Sequence, residues 1–303
     1  MLQHYLPPEQ APRHNSRAQF YRELPTLLAP AFTGVERTQL HELTASALRY
    51  FQFALYLDDL LDGDIQLSPS TRSGLLGAVT LHEESIKGLA TLFPKGHPFW
   101  QHFTQCRQTF DQAQHGPATA PTDWTQERFE AQAVAKSAMS EVVGYALHSL
   151  STQSTKSDQT LAAVLQCLQW YHIASQYEDD IIDFCQDWEQ GQPTYTHAQV
   201  LAYLQVAGIE QEAPPTTTRL QQYLYTSGIA GQLLSRAEHY YRRVTTQAQL
   251  LGLTTLATLA VQQTTGTVEL QSQIREQVSA ATARARAVLE GQGTQQVPLA
   301  SVA

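Results

Sequence analysis

Two short runs of aspartate carry the chemistry this sequence is able to do. The first, Leu57-Asp58-Asp59-Leu60-Leu61-Asp62-Gly63-Asp64, sets Asp58 and Asp62 four residues apart and Asp59 three before Asp62. Residues at those spacings share one face of a helix. Carboxylates aligned in this way repel one another, so the arrangement calls for a cation. A Gly- and Pro-containing stretch follows at once, which puts the acids at a helix C-terminus, where the backbone dipole already disfavours negative charge. The second run, Gln176-Tyr177-Glu178-Asp179-Asp180-Ile181-Ile182-Asp183-Phe184, repeats the geometry, and Asp187 extends the row begun by Asp179 and Asp183. Apolar and aromatic residues precede both runs, so both sets of acids stand where a buried wall meets water. Magnesium is a hard ion that takes oxygen ligands, keeps several waters and is commonly shared with substrate phosphates. Two facing clusters would form a multi-magnesium clamp for a diphosphate and make ionisation of its carbon–oxygen bond feasible. One such string alone reads equally well as a solvated helix end; the second copy argues against that. A di-iron carboxylate bundle is excluded, because it needs Glu-x-x-His and no Glu here has His three residues on.

The elements that must hold these acids are helices. Residues 31–68, 122–192 and 216–296 contain no proline, and proline costs about 3 kcal/mol inside a helix. In 161–184, apolar positions recur at three and four residues: Leu161, Leu165, Leu168, Tyr171, His172 and Ser175. Runs rich in Gly, Pro, Ser and Thr at 63–74, 94–98, 114–123, 151–158, 189–197 and 207–218 mark the breaks, with Asp123 and Ser157 or Asp158 as expected N-caps. The reading is an all-α, single-domain bundle of about eight to eleven long helices around a central cavity. Residues 1–15 are expected to be loosely ordered, 16–290 to form the helical catalytic domain, and 291–303 to be a flexible tail.

Composition agrees. Apolar residues make up 42% of 303, enough for a sizeable core. The formal charge of −9 excludes wrapping of nucleic acid, which needs clustered Lys and Arg, and suits a site for divalent cations. Cys106, Cys167 and Cys185 make no CxxC pair and no zinc spacing, so they read as buried thiols of a reducing compartment. No secretory signal is visible and no stretch of about 18 apolar residues occurs; the expected location is the cytoplasm.

Taken together, residues 45–195 resemble the trans-isoprenyl diphosphate synthases and their relatives among class I terpene synthases. The second motif, Gln176 to Phe184, is similar to that family's QxxDDxxDF. Ala135-Lys136-Ser137-Ala138 resembles its Lys-Thr-Ala segment, whose lysine contacts the diphosphate, and the first motif resembles its first aspartate-rich motif. The resemblance implies that Asp58, Asp59, Asp62, Asp179, Asp180 and Asp183 hold about three magnesium ions together with the substrate, with Asp58, Asp59 and Asp179 central to catalysis. It implies Lys136 and Gln176 at the diphosphate, and suggests a homodimer.

Departures from the pattern narrow the reading. The family's Arg-Arg-Gly after the first motif reads Ile65-Gln66-Leu67 here, with Arg72 further on. A family histidine falls at Phe51, and a family lysine after the second motif falls at Gln192. The Gly-Gly-Lys-Arg-x-Arg-Pro signature is not recognisable, with Arg22 its nearest remnant. Binding a second diphosphate without Arg or Lys is hard to arrange, so the site for isopentenyl diphosphate looks dismantled. The natural chemistry is then that of a class I terpene synthase: ionisation of one allylic diphosphate, followed by cyclisation and proton loss or by water capture. Arg72 is a candidate replacement for the missing arginines. Aromatic faces stabilise cations without trapping them; Phe51 and Tyr171, two turns below the acids, and Trp170 are candidates for the pocket. In the family a bulky residue five before the first motif shortens the pocket. That residue is Phe53 here, beside Ala54, which favours a substrate between geranyl and geranylgeranyl diphosphate in length, farnesyl first. The run Tyr240-Tyr241-Arg242-Arg243 reads as a basic amphipathic surface rather than a lid. Two rival readings stay open: a chain-elongating synthase using Arg72, Arg22 and Arg128, and a non-catalytic partner of an active enzyme.

Overall fold

Proline sets the helix lengths. A computed structural model describes residues 11–61, 68–114, 120–152, 157–209 and 216–292, and α-helices account for most of them. In chain order they are α1 (Ala11–Leu28), α2 (Arg37–Leu61), α3 (Pro69–Leu92), α4 (Phe99–Gln114), α5 (Gln126–Lys136), α6 (Ala138–Leu150), α7 (Ser157–Ile182), α8 (Phe184–Glu189), α9 (Tyr195–Val206), α10 (Thr217–Thr226), α11 (Ile229–Leu250) and α12 (Thr254–Gln292). No strand occurs among the described residues. The three proline-free stretches contain α2, then α5 to α8, then α10 to α12. None of the described helices is long and apolar enough to cross a membrane.

Twelve helices exceed the expected eight to eleven, and two of the extra boundaries are informative. Ser137 (φ −105°, ψ 8°) separates α5 from α6, and its hydroxyl turns back onto the carbonyls of Ala133 and Val134, at 2.9 and 3.0 Å. Asp183 (φ −89°, ψ 6°) separates α7 from α8. Both sit in the sparsely allowed region between α and β, and neither break needs a glycine or proline, so sequence punctuation does not reveal them.

Other boundaries also move. Pro69 opens α3, a position that suits its fixed φ and missing N–H, so 69–74 is helix rather than loop. The cap of α5 is Thr125, whose hydroxyl accepts from the Arg128 N–H at 3.2 Å; Asp123 is instead absorbed in a 3-10 turn at 121–123. Helix α1 begins at Ala11, inside the segment expected to be loose. Residues 1–10 and 293–303, and with them most of the expected tail, lie outside the described residues.

The core runs through the whole bundle. α7 is central, flanked by α11, which turns back into α12, and on its other side by α5 and α6. α2 packs on α1, α3 and α6. The two acid-bearing helices, α2 and α7, thus meet through α1 and α6 as intermediaries. Glu178 is a buried carboxylate beside the acid row. It accepts from the Tyr241 hydroxyl on α11 at 3.2 Å and from the Thr267 hydroxyl on α12, fixing the rotation of α7 about its own axis.

The α2–α3 pair is antiparallel and close. The Ser85 hydroxyl donates to the Ser46 carbonyl at 2.8 Å, and a Cβ at Gly88 would collide with Ser46 Oγ and Glu42 Oε1. Small residues let these backbones approach. Gly88→Leu is expected to cost about 1–3 kcal/mol by overpacking. Gly77→Ala, on the same helix where nothing lies within 4 Å, is expected to gain up to about 1 kcal/mol of helix propensity. Chemical denaturation of the two variants checks both signs.

Candidate active site

The acid row survives the break at Asp183. The Asp183 N–H still donates to the Asp179 carbonyl at 2.8 Å, and the Asp187 N–H to the Asp183 carbonyl at 2.9 Å. Asp179, Asp183 and Asp187 therefore continue along one face from α7 into α8. α8 then ends in a turn that needs a left-handed residue, Gly191 at φ 72°, with the Gln192 N–H closing onto the Asp187 carbonyl at 2.8 Å. His197, from the first turn of α9, supports this end of the row. Its Nδ1 accepts from the Thr194 N–H at 3.0 Å, so its Nε2 donates to the Phe184 carbonyl at 2.8 Å, and the ring stacks on Phe184 and Trp188. Burial pushes its pKa down to about 4, which keeps it neutral and in that tautomer.

The acids differ in environment. Asp180 is 2% exposed. Its Oδ1 accepts from Gln176 Nε2 at 2.9 Å, while Oδ2 is buried with no hydrogen-bond partner among the described residues. Burial pushes its pKa up to about 6, against the help of Gln176, Thr194 and the Lys136 charge. Asp187 goes up to about 7, through burial and then the charges of Asp180 and Asp183, again opposed by Lys136. Lys136 is the last residue of α5, at the break made by Ser137, and its ammonium acts on both acids. The structure thus brings Lys136, Gln176, Asp179, Asp180, Asp183 and Asp187 together.

The donor set fits magnesium. A buried carboxylate oxygen lacks a partner, and neighbouring acids raise one another's pKa, as hard oxygen ligands do before a cation arrives. Among the described residues no three His, Cys, Asp or Glu side chains form a ready-made cage. The acids line a face, which suits a metal shared with waters and phosphate oxygens. Asp58 and Asp59 lie in the last turn of α2, but their side chains, and Asp62 altogether, lie outside the described residues.

The pocket candidates divide. Phe51, seven residues before Asp58, stacks on Tyr21 of α1 at 4.2 Å. Ala54, four before Asp58, is half-buried on that face. Phe53 points elsewhere, against His82 of α3 at 4.8 Å and Tyr50. Tyr171 is in the core, stacked on Phe20 at 4.0 Å and edge-on to Tyr241. Trp170 lies under the Arg243 guanidinium, 3.9 Å from the ring. Trp170 is nine residues before Asp179, about half a turn round the helix, and the structure does not bring it to the acid face. The residue that takes the expected place of Tyr171 is His172, seven before Asp179 and almost in line with it. Arg72 is exposed on α3. His172 and Thr194 join the site beside Asp187, which the four-residue spacing already sets in the row; the seven-residue spacing that picks Phe51 also identifies His172, and no spacing signals Thr194.

The architecture is the all-α fold of isoprenoid synthases. The chain is similar to the crystal structure of geranylgeranyl pyrophosphate synthase from Lactobacillus brevis ATCC 367, with a TM-score of 0.57 over 84% of this chain and 90% of that one, at 14% identity. By sequence it matches no protein-family model and no curated protein.

The raised acids make a signed prediction. Their folded pKa values, about 6 and 7, exceed the unfolded value near 3.9. The stability they contribute is present at low pH and is lost as pH rises through the folded values. Asp187→Asn removes that loss. In metal-free buffer the variant should melt several degrees above the parent protein at pH 8, and the gap should narrow as pH falls and close only below about pH 4, the unfolded value; scanning calorimetry across that range measures it.

Proposed function

We propose that this chain is a class I terpene synthase: it ionises one allylic prenyl diphosphate with magnesium and releases a cyclised or deprotonated hydrocarbon, or an alcohol. The observation that carries the reading is the buried Asp180, whose Oδ2 has no hydrogen-bond partner among the described residues, beside the Asp179–Asp183–Asp187 row, with Lys136 acting on both. Those acids, joined by Asp58, Asp59 and Asp62 of the first motif, would hold the metal. Magnesium there would supply the positive charge that lets the diphosphate leave. Lys136 binds the departing anion from the α5 side, and Gln176 keeps Asp180 oriented. Below the acids the named side chains are Phe51, Tyr21, His172 and Ser140, ring faces and hydroxyls rather than cations. Such a wall stabilises a carbocation, and none of these four groups carries the permanent positive charge that would favour a second diphosphate. The small Ala54 on the same helix face as Phe51 suits a substrate of farnesyl length.

The likeness to a geranylgeranyl pyrophosphate synthase favours a second reading, chain elongation with isopentenyl diphosphate, in which Arg72, Arg22 or Arg128 would bind the added substrate.

Incubation with geranyl, farnesyl or geranylgeranyl diphosphate, with and without isopentenyl diphosphate, followed by mass spectrometry, separates the readings. Hydrocarbon or alcohol from a single allylic substrate is expected. A longer diphosphate, formed only when isopentenyl diphosphate is present, establishes elongation instead. Chelation of magnesium should abolish turnover reversibly, and Asp179→Ala or Lys136→Ala should lower it by on the order of 10²-fold.

A further inference from the structure

Helix α7 carries a hydrogen-bonded chain two turns below the acids that diphosphate ionisation does not use. His172 is 6% exposed. One ring nitrogen, Nε2, lies 2.9 Å from Ser140 Oγ, and the other, Nδ1, lies 3.2 Å from the Tyr21 hydroxyl. The direction of the chain follows from Ser140. Its single hydroxyl proton is donated to the Ser137 carbonyl at 2.8 Å, so towards His172 its oxygen accepts. Nε2 therefore carries the proton, the neutral ring presents a lone pair at Nδ1, and the Tyr21 hydroxyl donates to it. The chain runs from Tyr21 through His172 and Ser140 to Ser137, the residue at the helix break beside Lys136.

Tyr21 is placed to use this chain. It is half-buried on α1, and its ring lies between α2 and α7, stacked on Phe51 at 4.2 Å and on His172 at 5.6 Å. Phe51 lies seven residues before Asp58 and His172 seven before Asp179, so the Tyr21 ring bridges α2 and α7 about two turns before the first acid of each motif. A buried hydroxyl in an aromatic wall is costly unless hydrogen-bonded, and here its partner is a ring able to take its proton.

We propose that Tyr21 is the group that takes the proton lost when the substrate cation becomes an olefin, with His172 as its positioning residue. The inference rests on the terpene synthase reading. In the step, a C–H bond next to the cationic carbon breaks and its electron pair becomes the new π bond. The proton goes to the Tyr21 oxygen as the original phenolic proton passes to His172 Nδ1. The ring then carries one positive charge, donating through Nδ1 to Tyr21 and through Nε2 to Ser140. No oxidant or co-reactant is required, and the cation's charge ends on the imidazole.

Tyr21→Phe keeps the ring on Phe51 and removes only the hydroxyl. The variant is assayed with farnesyl diphosphate and magnesium, and its products are read as a ratio, which does not depend on how fast diphosphate is released. The ratio of olefin to alcohol should fall roughly tenfold or more. His172→Gln, a second variant independent of the first, should lower the same ratio, and the double variant should be no worse than Tyr21→Phe alone, since both changes interrupt one chain. An unchanged ratio in Tyr21→Phe, effects that multiply in the double variant, or a parent protein that makes only alcohol overturns the assignment while leaving the synthase reading standing. A parent protein that releases no diphosphate from any allylic substrate overturns the synthase reading, and this inference falls with it.

Discussion

Mutual repulsion among the carboxylates at the end of α7 is the constraint around which the site is arranged. Asp179, Asp180, Asp183 and Asp187 are crowded onto and beside one helical face, and burial of Asp180 and Asp187 pushes their pKa values up to about 6 and 7. A chain selected for stability alone would not keep them there. The fold holds them by separate devices. Glu178, turned the other way, pins α7 to α11 and α12 through Tyr241 and Thr267. Gln176 orients Asp180 from within the helix. His197 and Gly191 fix α8 so that Asp187 stays in the row. Lys136 arrives from α5 with the compensating charge.

The helix breaks explain how these groups meet. A straight helix through Ser137 or Asp183 would carry its acids or its lysine past the site. The backbone instead pauses at each, in the bridge region, with Ser137 satisfied by its own hydroxyl. The break at Ser137 also supplies the carbonyl that ends the chain from Tyr21 through His172 and Ser140. The proposed diphosphate end and the proposed hydrocarbon end of the pocket are therefore coupled through a single irregular residue between α5 and α6.

Much of this was legible in the sequence. The proline-free stretches and three- and four-residue spacings specify long helices, and the second aspartate motif with Lys136 lands together as read. The misses have physical causes. Trp170 is expected in the pocket as an aromatic before the second motif and Tyr171 by its spacing of eight from Asp179, but the 3.6-residue period carries Trp170 to Arg243 and Tyr171 to Phe20, and puts His172 in line with Asp179. Asp123 resembled a cap because caps are short and acidic, yet Pro121 starts a 3-10 turn that consumes it and leaves the role to Thr125. Breaks at Ser137 and Asp183 carry no Gly or Pro signal, so sequence punctuation does not mark them. Tyr21 is 151 residues from His172, and no local pattern joins the two.

On the proposed function, the acid row would hold magnesium together with a diphosphate, and not as a cage for metal alone. Calorimetric titration of the protein with Mg²⁺ in the presence and absence of inorganic diphosphate tests it most directly. Magnesium alone should bind weakly, its affinity should rise by a large factor when diphosphate is present, and Asp179→Ala should abolish that rise. Magnesium affinity that is the same with and without diphosphate, or an increase that survives Asp179→Ala, would contradict it.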